Sequence, residues 1–437
     1  MAIIIGWIVV GSLIGLAVMQ STFVWIYCRF LKSSVQCEPN DFDQTKKRLP
    51  HVAVVLCLRG ADPSLTDCLN GLFSLDYKSE AGTPNFEIHF VVDDKQDPAL
   101  KVAHDFISGI GSQIKTQIHF LDPTDVVGSL KCTALVTAIS TLGDSSDNSV
   151  EVVALADADV SVDPQWLSDL VAPLADPTVG VATGNRWFSP ADNGLGSLVR
   201  QTWNAAAVAQ MSFYQIPWGG SLALRLETIH DCGLLEKWSK AFCEDTMLKS
   251  VLREYNLKVV RVPSLILSSD ESIRFRDAFR WITRQLLTVR LYHRDWLMVL
   301  GHGLLVGFGL FGTVAGAVWL FTQHQWIMGS IVAGVLVLFQ ALNLFLLQRI
   351  ASANEAHINL RAPNKKMSKR ALGQTLIAAI VTQLVQPLAA MSAAVKQKVS
   401  WRGVDYKIGA KKSISLVRYV PYREIQSGNE NEKHSID

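Results

Sequence analysis

Apolar residues fall along this chain in two kinds of run. Short runs of six to eight residues recur in the first half: HVAVVLCL at 51–58, FEIHFVV at 86–92, TQIHFL at 116–121 and VEVVALA at 150–156. Rich in β-branched side chains, they read as strands buried on both faces. Helical stretches lie between them, at Ser64–Ser74, Pro98–Gly109 and Lys131–Leu142. Alternating strands and helices predict an α/β domain over residues 29–270, with a mostly parallel sheet and right-handed crossovers.

The long runs carry no formal charge: Ala2–Cys28, Trp296–Gln348 and Ala371–Val395. A bilayer-crossing helix needs about 20 apolar residues. Three spans follow, near Ile3–Cys28, Met298–Phe321 and Trp326–Leu347, the last two a hairpin (298–348) turning at Thr322-Gln323-His324-Gln325. The fold class is therefore an α/β sheet domain joined to an α-helical transmembrane region. Residues 1–28 read as a retained anchor: the run is too long for a secretory signal and lacks a basic start and a clear cleavage site. The stretch 371–395 places Thr382, Gln383, Gln386 and Pro387 at its middle. Backbone freed by that proline needs partners. The segment reads as a third carboxyl-terminal membrane segment, either a kinked span, re-entrant or interfacial.

Charge refines the picture. The formal net charge of +2 gives no polyelectrolyte argument, so no nucleic-acid partner is expected. Arg29, Lys32, Lys46, Lys47 and Arg48 follow the first run; Arg349, Arg361, Lys365, Lys366, Lys369 and Arg370 make a basic loop at 349–370. The positive-inside rule puts both flanks, and the α/β domain, on the cytoplasmic face of the membrane. The tail, 396–437, is also basic before a polar end (SGNENEKHSID) that reads as disordered. An inside tail favours the non-crossing reading of 371–395. Over 271–297, Arg276, Arg280 and Arg284 recur opposite Phe275, Phe279, Ile282, Leu286 and Val289. This pattern predicts a basic amphipathic helix at the headgroup level. The cysteines (28, 37, 57, 68, 132, 232, 243) form no CxxC pair, which suits a reduced domain without a zinc site.

Several carboxylates sit where chemistry is expected. In open α/β sheets, ligands bind at the carboxyl ends of strands. VVALADADVSVDP, at 152–164, ends a predicted strand in Asp157, Asp159 and Asp163. Asp157 and Asp159 share a face of extended chain. They could hold Mg²⁺ or Mn²⁺ beside phosphate oxygens, or merely be solvated. Asp163, before Pro164, reads as a helix N-cap. Asp94, next to Asp93, ends the second strand and could accept from a base or ribose. Glu244 and Asp245 precede TMLKSVLREY, as helix-capping groups or as a general base. Trp218-Gly219-Gly220-Ser221 makes a tight turn, an ordinary loop or one where backbone approaches a ligand. Arg280 and Trp281 belong to the amphipathic pattern, and could also hold a diphosphate and flank an acceptor.

Taken in order, Asp94, Asp157-Ala158-Asp159, Asp245 and DAFRW at 277–281 resemble the D, DxD, D, (Q/R)xxRW pattern of family 2 glycosyltransferases with a GT-A fold. The resemblance is closer to ceramide glucosyltransferases, through CLRGADPSL at 57–65, SLDY at 74–77, DDKQDPA at 93–99, GGSLALR at 219–225, CEDTML at 243–248 and VSWRGVDYKI at 399–408. The resemblance implies a GT-A nucleotide-sugar-binding domain, UDP-glucose as donor and Mn²⁺ or Mg²⁺ as cofactor. It implies that Asp94 contacts uridine and that Asp157 lies near sugar and diphosphate. Asp159 would ligate the metal, and Lys131, in GSLKCTAL, would lie near the nucleotide. Asp245 would activate a lipid's primary hydroxyl, and Arg280 and Trp281 would close the site. Trp218, Gly220, Ser221 and Glu244 fall on its substrate-binding segments. Asp277 stands where the pattern has Gln or Arg, and Arg276, one place early, is rotated by about 100° on a helix.

The implied reaction is inverting transfer of glucose from UDP-glucose to a membrane lipid. Ceramide and diacylglycerol both offer a primary hydroxyl, and the residues do not separate them. A processive polysaccharide synthase shares the aspartates and the RW motif but usually has more spans. Asp277 keeps open a non-catalytic membrane scaffold of the same fold.

Overall fold

The computed structural model describes residues 1–36, 48–110, 113–123, 126–142, 150–190, 192–359 and 369–424. Cys37, Lys46, Lys47, Arg361, Lys365, Lys366 and the polar end of the tail lie outside the described residues. The helices are α1 (Ala2–Gln36), α2 (Leu65–Phe73), α3 (Pro98–Ile110), α4 (Leu130–Ile139), α5 (Trp166–Val171), α6 (Leu195–Tyr214), α7 (Leu226–Asp231), α8 (Leu234–Ser239), α9 (Leu248–Glu254), α10 (Phe275–Tyr292), α11 (Trp296–Thr322), α12 (Trp326–Asn359) and α13 (Lys369–Val395). The strands are β1 (Val52–Leu58), β2 (Phe86–Val92), β3 (Lys115–Phe120), β4 (Val152–Ala156), β5 (Val179–Phe188), β6 (Ser221–Arg225), β7 (Lys258–Ser269), β8 (Lys398–Trp401), β9 (Val404–Ile408) and β10 (Ile414–Tyr419). Two compact units share them. One comprises Glu38–Arg186, Gln215–Ser269 and Lys396–Asp437; the other comprises Met1–Cys37, Trp187–Tyr214 and Asp270–Val395.

The first unit is built on a seven-stranded sheet, ordered β3-β2-β1-β4-β6-β5-β7. The β1–β2, β2–β3 and β1–β4 pairs are parallel, as the strand–helix alternation predicts. Beyond β4 the sheet turns antiparallel, through β4–β6 and β5–β6. Val52, Val54 and Leu56 of β1 and Phe86, Ile88 and Phe90 of β2 share one face, in a core with Leu69, Leu72, Trp166 and Leu170. Burial of each such side chain stabilises the fold by about 1.5–3 kcal/mol. β3 departs from burial on both faces: it is an edge strand, partly or fully exposed along its length.

The polar residues inside FEIHFVV are buried and satisfied. Glu87 lies 2.7 Å from Lys115 Nζ and 2.8 Å from His89 Nε2. Burial would push the Glu87 carboxyl up, but hydrogen bonds from His51, His89 and Lys115 outweigh it and hold it well below the usual carboxylate range. The basic tail also folds into this unit, as the antiparallel sheet β10-β9-β8. Its Tyr406 hydroxyl accepts from Leu130 N, at the start of α4, at 3.2 Å. The six described cysteines are unpaired.

The second unit is helical. Among the described residues four helical segments have the length and composition to cross a membrane: Ala2–Lys32, Trp296–Thr322, Trp326–Ile358 and Gly373–Val395. The protein is an integral membrane protein. α13 runs unbroken through Pro387, and its polar residues find partners. Thr382 donates to Ala378 O at 2.7 Å, Gln383 and Gln340 exchange amide hydrogen bonds, and Gln386 accepts from Trp203 Nε1. Pro387 packs against Gly307 of α11, where any side chain would collide with its ring. α13 is half buried, more than the other three segments. Its polar centre is an interior seam between helices.

α10 is the predicted amphipathic helix, and protein covers part of its apolar stripe, while Phe275 is exposed. Ala278, Ile282, Leu286 and Leu291 are buried, and the helix packs on α6 and α13. Arg290 donates to Ala393 O and Ala394 O, both at 2.7 Å, satisfying carbonyls at the end of α13.

Candidate active site

Strand direction and register assemble the site of the sheet unit. β1, β2 and β4 are parallel, so Arg59-Gly60, Asp93-Asp94 and Asp157-Ala158-Asp159 emerge at one edge. β6 runs antiparallel to β4 with Ser221 opposite Ala156, which brings Trp218-Gly219-Gly220 beside Asp157. Ser129 caps α4 by accepting from Cys132 N at 3.2 Å, and so places Lys131 in the first turn.

Lys131 is the hub. Its Nζ lies 2.7 Å from Asp157 Oδ1 and 2.7 Å from Glu244 Oε1. Burial disfavours the ammonium, but the two carboxylates overcome it and hold Lys131 well above its ordinary range. Burial likewise pushes Asp157 up, but Lys131 and Arg186 outweigh it and leave the carboxyl below its usual value. Glu244 goes the other way. It is 2% exposed, and burial, helped by neighbouring Asp245, raises its carboxyl despite Lys131.

Asp159 pairs with Arg186 of β5, Oδ1 to Nη2 at 2.5 Å. Arg186 also lies over the Trp218 ring, 5.4 Å from its centroid. Asp245 is only half buried. Its Oδ2 accepts from Gly219 N at 2.9 Å, and its Oδ1 from Thr246 Oγ1 at 2.8 Å. Asp94 Oδ1 accepts from Gln96 N at 3.0 Å; its Oδ2 lies 3.4 Å from Arg423 Nε without a hydrogen bond.

The glycine pair admits a close approach, here to the chain's own carboxylates. A Cβ on Gly219 would lie 2.0 Å from Glu244 Oε1, and one on Gly220 would lie 2.2 Å from the Trp218 ring and 2.5 Å from Asp157 Oδ2. Overpacking of this kind costs about 1–3 kcal/mol. Gly220→Ala is therefore expected to lower kcat/KM about tenfold or more, by displacing Asp157, with an unchanged circular-dichroism spectrum. Wild-type kinetics in that variant would remove the close approach from the account.

Ser221 is fully buried, and its hydroxyl accepts from Trp166 Nε1 at 2.9 Å. It holds the loop from beneath. Asp163 Oδ1 accepts from Gln165 N at 2.9 Å, in the turn that leads into α5.

Arg280 and Trp281 belong to the helical unit. The Trp281 ring lies edge-on to Phe188 and to Trp203, 5.3 Å from each. Arg280 is exposed, and its Nη1 lies 3.4 Å from Asp277 Oδ1; the other Asp277 oxygen lies 3.1 Å from Arg274 Nε. Asp277 thus binds the arginines on either side of it.

Sequence reasoning missed Arg186 and Arg59. Arg186 reaches Asp159 only because β5 pairs with β6. Arg59 bonds to Asp93 and to backbone carbonyls of Arg402 and Val420, more than three hundred residues away.

Among solved structures, one that this chain matches is a mannosyltransferase from Pyrobaculum calidifontis in complex with GDP-Man and Mn²⁺. It is 16% identical, covers 89% of this chain and 98% of its own, and has a TM-score of 0.46. Another is GalNAc-T7 with UDP, GalNAc and Mn²⁺, 12% identical over 57% of this chain and 49% of its own, with a TM-score of 0.38. The family described as glycosyl transferase family 21 matches residues 8–414. The match runs through the sheet unit and all four long apolar helices, and the chain belongs to glycosyltransferase family 21, as a membrane enzyme that transfers sugar from a nucleotide donor to a lipid acceptor.

Proposed function

We propose that the enzyme transfers glucose from UDP-glucose to the primary hydroxyl of ceramide, with inversion, on the cytoplasmic face of its membrane. The observation that carries this reading is the Lys131 bridge between Asp157 and Glu244, beside the half-buried Asp245. It separates the roles of two adjacent carboxylates. Glu244 is buried and tied to Lys131, so it orders the loop. Asp245 has one face open and is the base. It accepts the acceptor's hydroxyl proton as that oxygen attacks the anomeric carbon, while the bond from that carbon to the diphosphate breaks and UDP leaves. Attack opposite the leaving group turns an α-linked donor into a β-glucoside.

Asp94 accepts from the uracil, and Lys131 and Asp157 border the diphosphate and sugar. Trp218, with Gly220 behind it, forms the wall nearest the acceptor, and Ser221 supports that wall from the core. Arg280 and Trp281 keep the diphosphate and acceptor roles that the RW motif implies.

A divalent cation fits the donor set in one form only. Among the described residues no three His, Cys, Asp or Glu side chains converge as a cage. Mg²⁺ binds through one or two carboxylates plus substrate phosphates, and Asp157 and Asp159 lie two residues apart just past the carboxyl end of β4, Asp159 Oδ1 now paired with Arg186. Asp159, with Asp157 beside it, would hold Mn²⁺ or Mg²⁺, which when bound offsets charge on the diphosphate. The basic residues Arg29, Lys32 and Arg48 support a cytoplasmic sheet unit.

Competition tests the choice of substrates. Purified enzyme in mixed micelles would receive ceramide and diacylglycerol together, with UDP-glucose or UDP-galactose. Ceramide and UDP-glucose should dominate kcat/KM. Preferential labelling of diacylglycerol would replace the acceptor, and preference for UDP-galactose would replace the donor.

A further inference from the structure

The chain continues past β10 across the edge where the donor is placed. Tyr422 packs directly on Gly60, at the carboxyl end of β1. Gly60 has φ +77°, and a Cβ there would fall 2.3 Å from Tyr422 Cζ. Only a residue without a side chain lets the ring lie so close. Gly60 is itself fixed, its N–H donating to the buried Asp97 carboxylate at 2.9 Å. The next residue, Arg423, reaches to 3.4 Å from Asp94 Oδ2.

The segment is anchored for this position. Arg59 donates to Arg402 O at 2.9 Å and Val420 O at 2.6 Å, and lies over the Tyr419 ring. Arg402 returns hydrogen bonds to Arg59 O at 2.8 Å and Asp62 Oδ2 at 3.0 Å. Val420 N donates to Gly403 O at 3.2 Å. An aromatic ring is thereby held against the end of β1, partly exposed, and the next residue, Arg423, pairs with Asp94 at the end of β2, whose Oδ2 accepts no hydrogen bond. An aromatic ring at the end of one strand and a carboxylate at the end of the next suit a planar base bearing an N–H: the ring stacks and the carboxylate accepts. Tyr422 lies beyond residue 414, where the family match ends.

We propose that Tyr422 is the stacking platform for the pyrimidine base of the nucleotide donor, supplied by the carboxyl-terminal segment. This rests on the UDP-sugar reading of the same site. The test is calorimetric titration of the full-length protein in detergent with UDP, and separately with inorganic diphosphate, both with Mn²⁺. Base–aromatic stacking predicts UDP binding about five- to a hundredfold weaker in Tyr422→Ala. Tyr422→Phe should stay within about twofold of wild type, and diphosphate, which has no base, should bind both variants as it binds wild type. A merely structural tyrosine would weaken both ligands together in Tyr422→Ala, and that outcome overturns the proposal. Unchanged UDP affinity also overturns it, and so does tighter binding, which would make Tyr422 a plug. Wild-type protein that binds diphosphate but not UDP would instead remove the donor reading on which the proposal stands.

Discussion

Asp245→Asn is expected to lower kcat by about a hundred- to ten-thousandfold, the range general-base catalysis contributes, while UDP affinity stays unchanged. The amide is isosteric, and its oxygen can keep the hydrogen bond from Gly219 N now made by Asp245 Oδ2. The Trp218-Gly219-Gly220 turn should therefore hold its shape. What the amide cannot do is take a proton. Lys131, Asp157 and Glu244 form their own bridge, which loses no partner in the change. Single-turnover transfer and UDP calorimetry on one preparation separate the two effects. A variant that turns over at the wild-type rate would remove Asp245 as the base. A variant that loses UDP binding would make it a structural residue of the loop.

Lys131→Met has the second large effect, on stability as well as rate. It leaves Asp157 and Glu244 as neighbouring carboxylates without their shared cation, and breaking a buried pair in this way costs about 3–5 kcal/mol. The side chains of Lys131 and Asp157 are 20% and 23% exposed, so the lower end is expected. Thermal unfolding in detergent should show a lowered Tm together with loss of transfer, and Lys131→Arg should recover part of both. The pH dependence has a definite sign. The Asp157 carboxyl is lower in the folded protein than in the unfolded chain, so its pairing stabilises the fold above about pH 4 and is lost as pH falls further. Wild type should lose that increment on acidification, and Lys131→Met should not, having lost it already. Equal acid sensitivity in both proteins would mean that the bridge does not carry it.

The parallel half of the sheet was legible because β1, β2 and β4 are buried on both faces and written in β-branched residues. The antiparallel half was harder. β5 holds Gly180, Gly184, Asn185 and Arg186, and its fit depends on β6 rather than on its own pattern. α6 groups with the long apolar helices although its sequence neighbours build the sheet unit, and no local period signals that. In α13 the polar residues read as an obstacle to a span, because their partners Gln340 and Trp203 lie on other helices. Periodicity found the apolar stripe of α10 but could not say whether lipid or protein covers it. For the site, types and order of residues brought out the carboxylates, and GSLKCTAL brought out Lys131. Which of the adjacent carboxylates Glu244 and Asp245 Lys131 reaches was hidden, since it depends on the loop's conformation.

The most direct measurement gives the purified enzyme labelled UDP-glucose, Mn²⁺ and ceramide-containing liposomes, and determines the product by mass spectrometry and anomeric proton NMR. The expected product is one glucose per ceramide, β-linked, with none formed when lipid is omitted. A growing polymer formed without lipid, or an α-linked product, would contradict it.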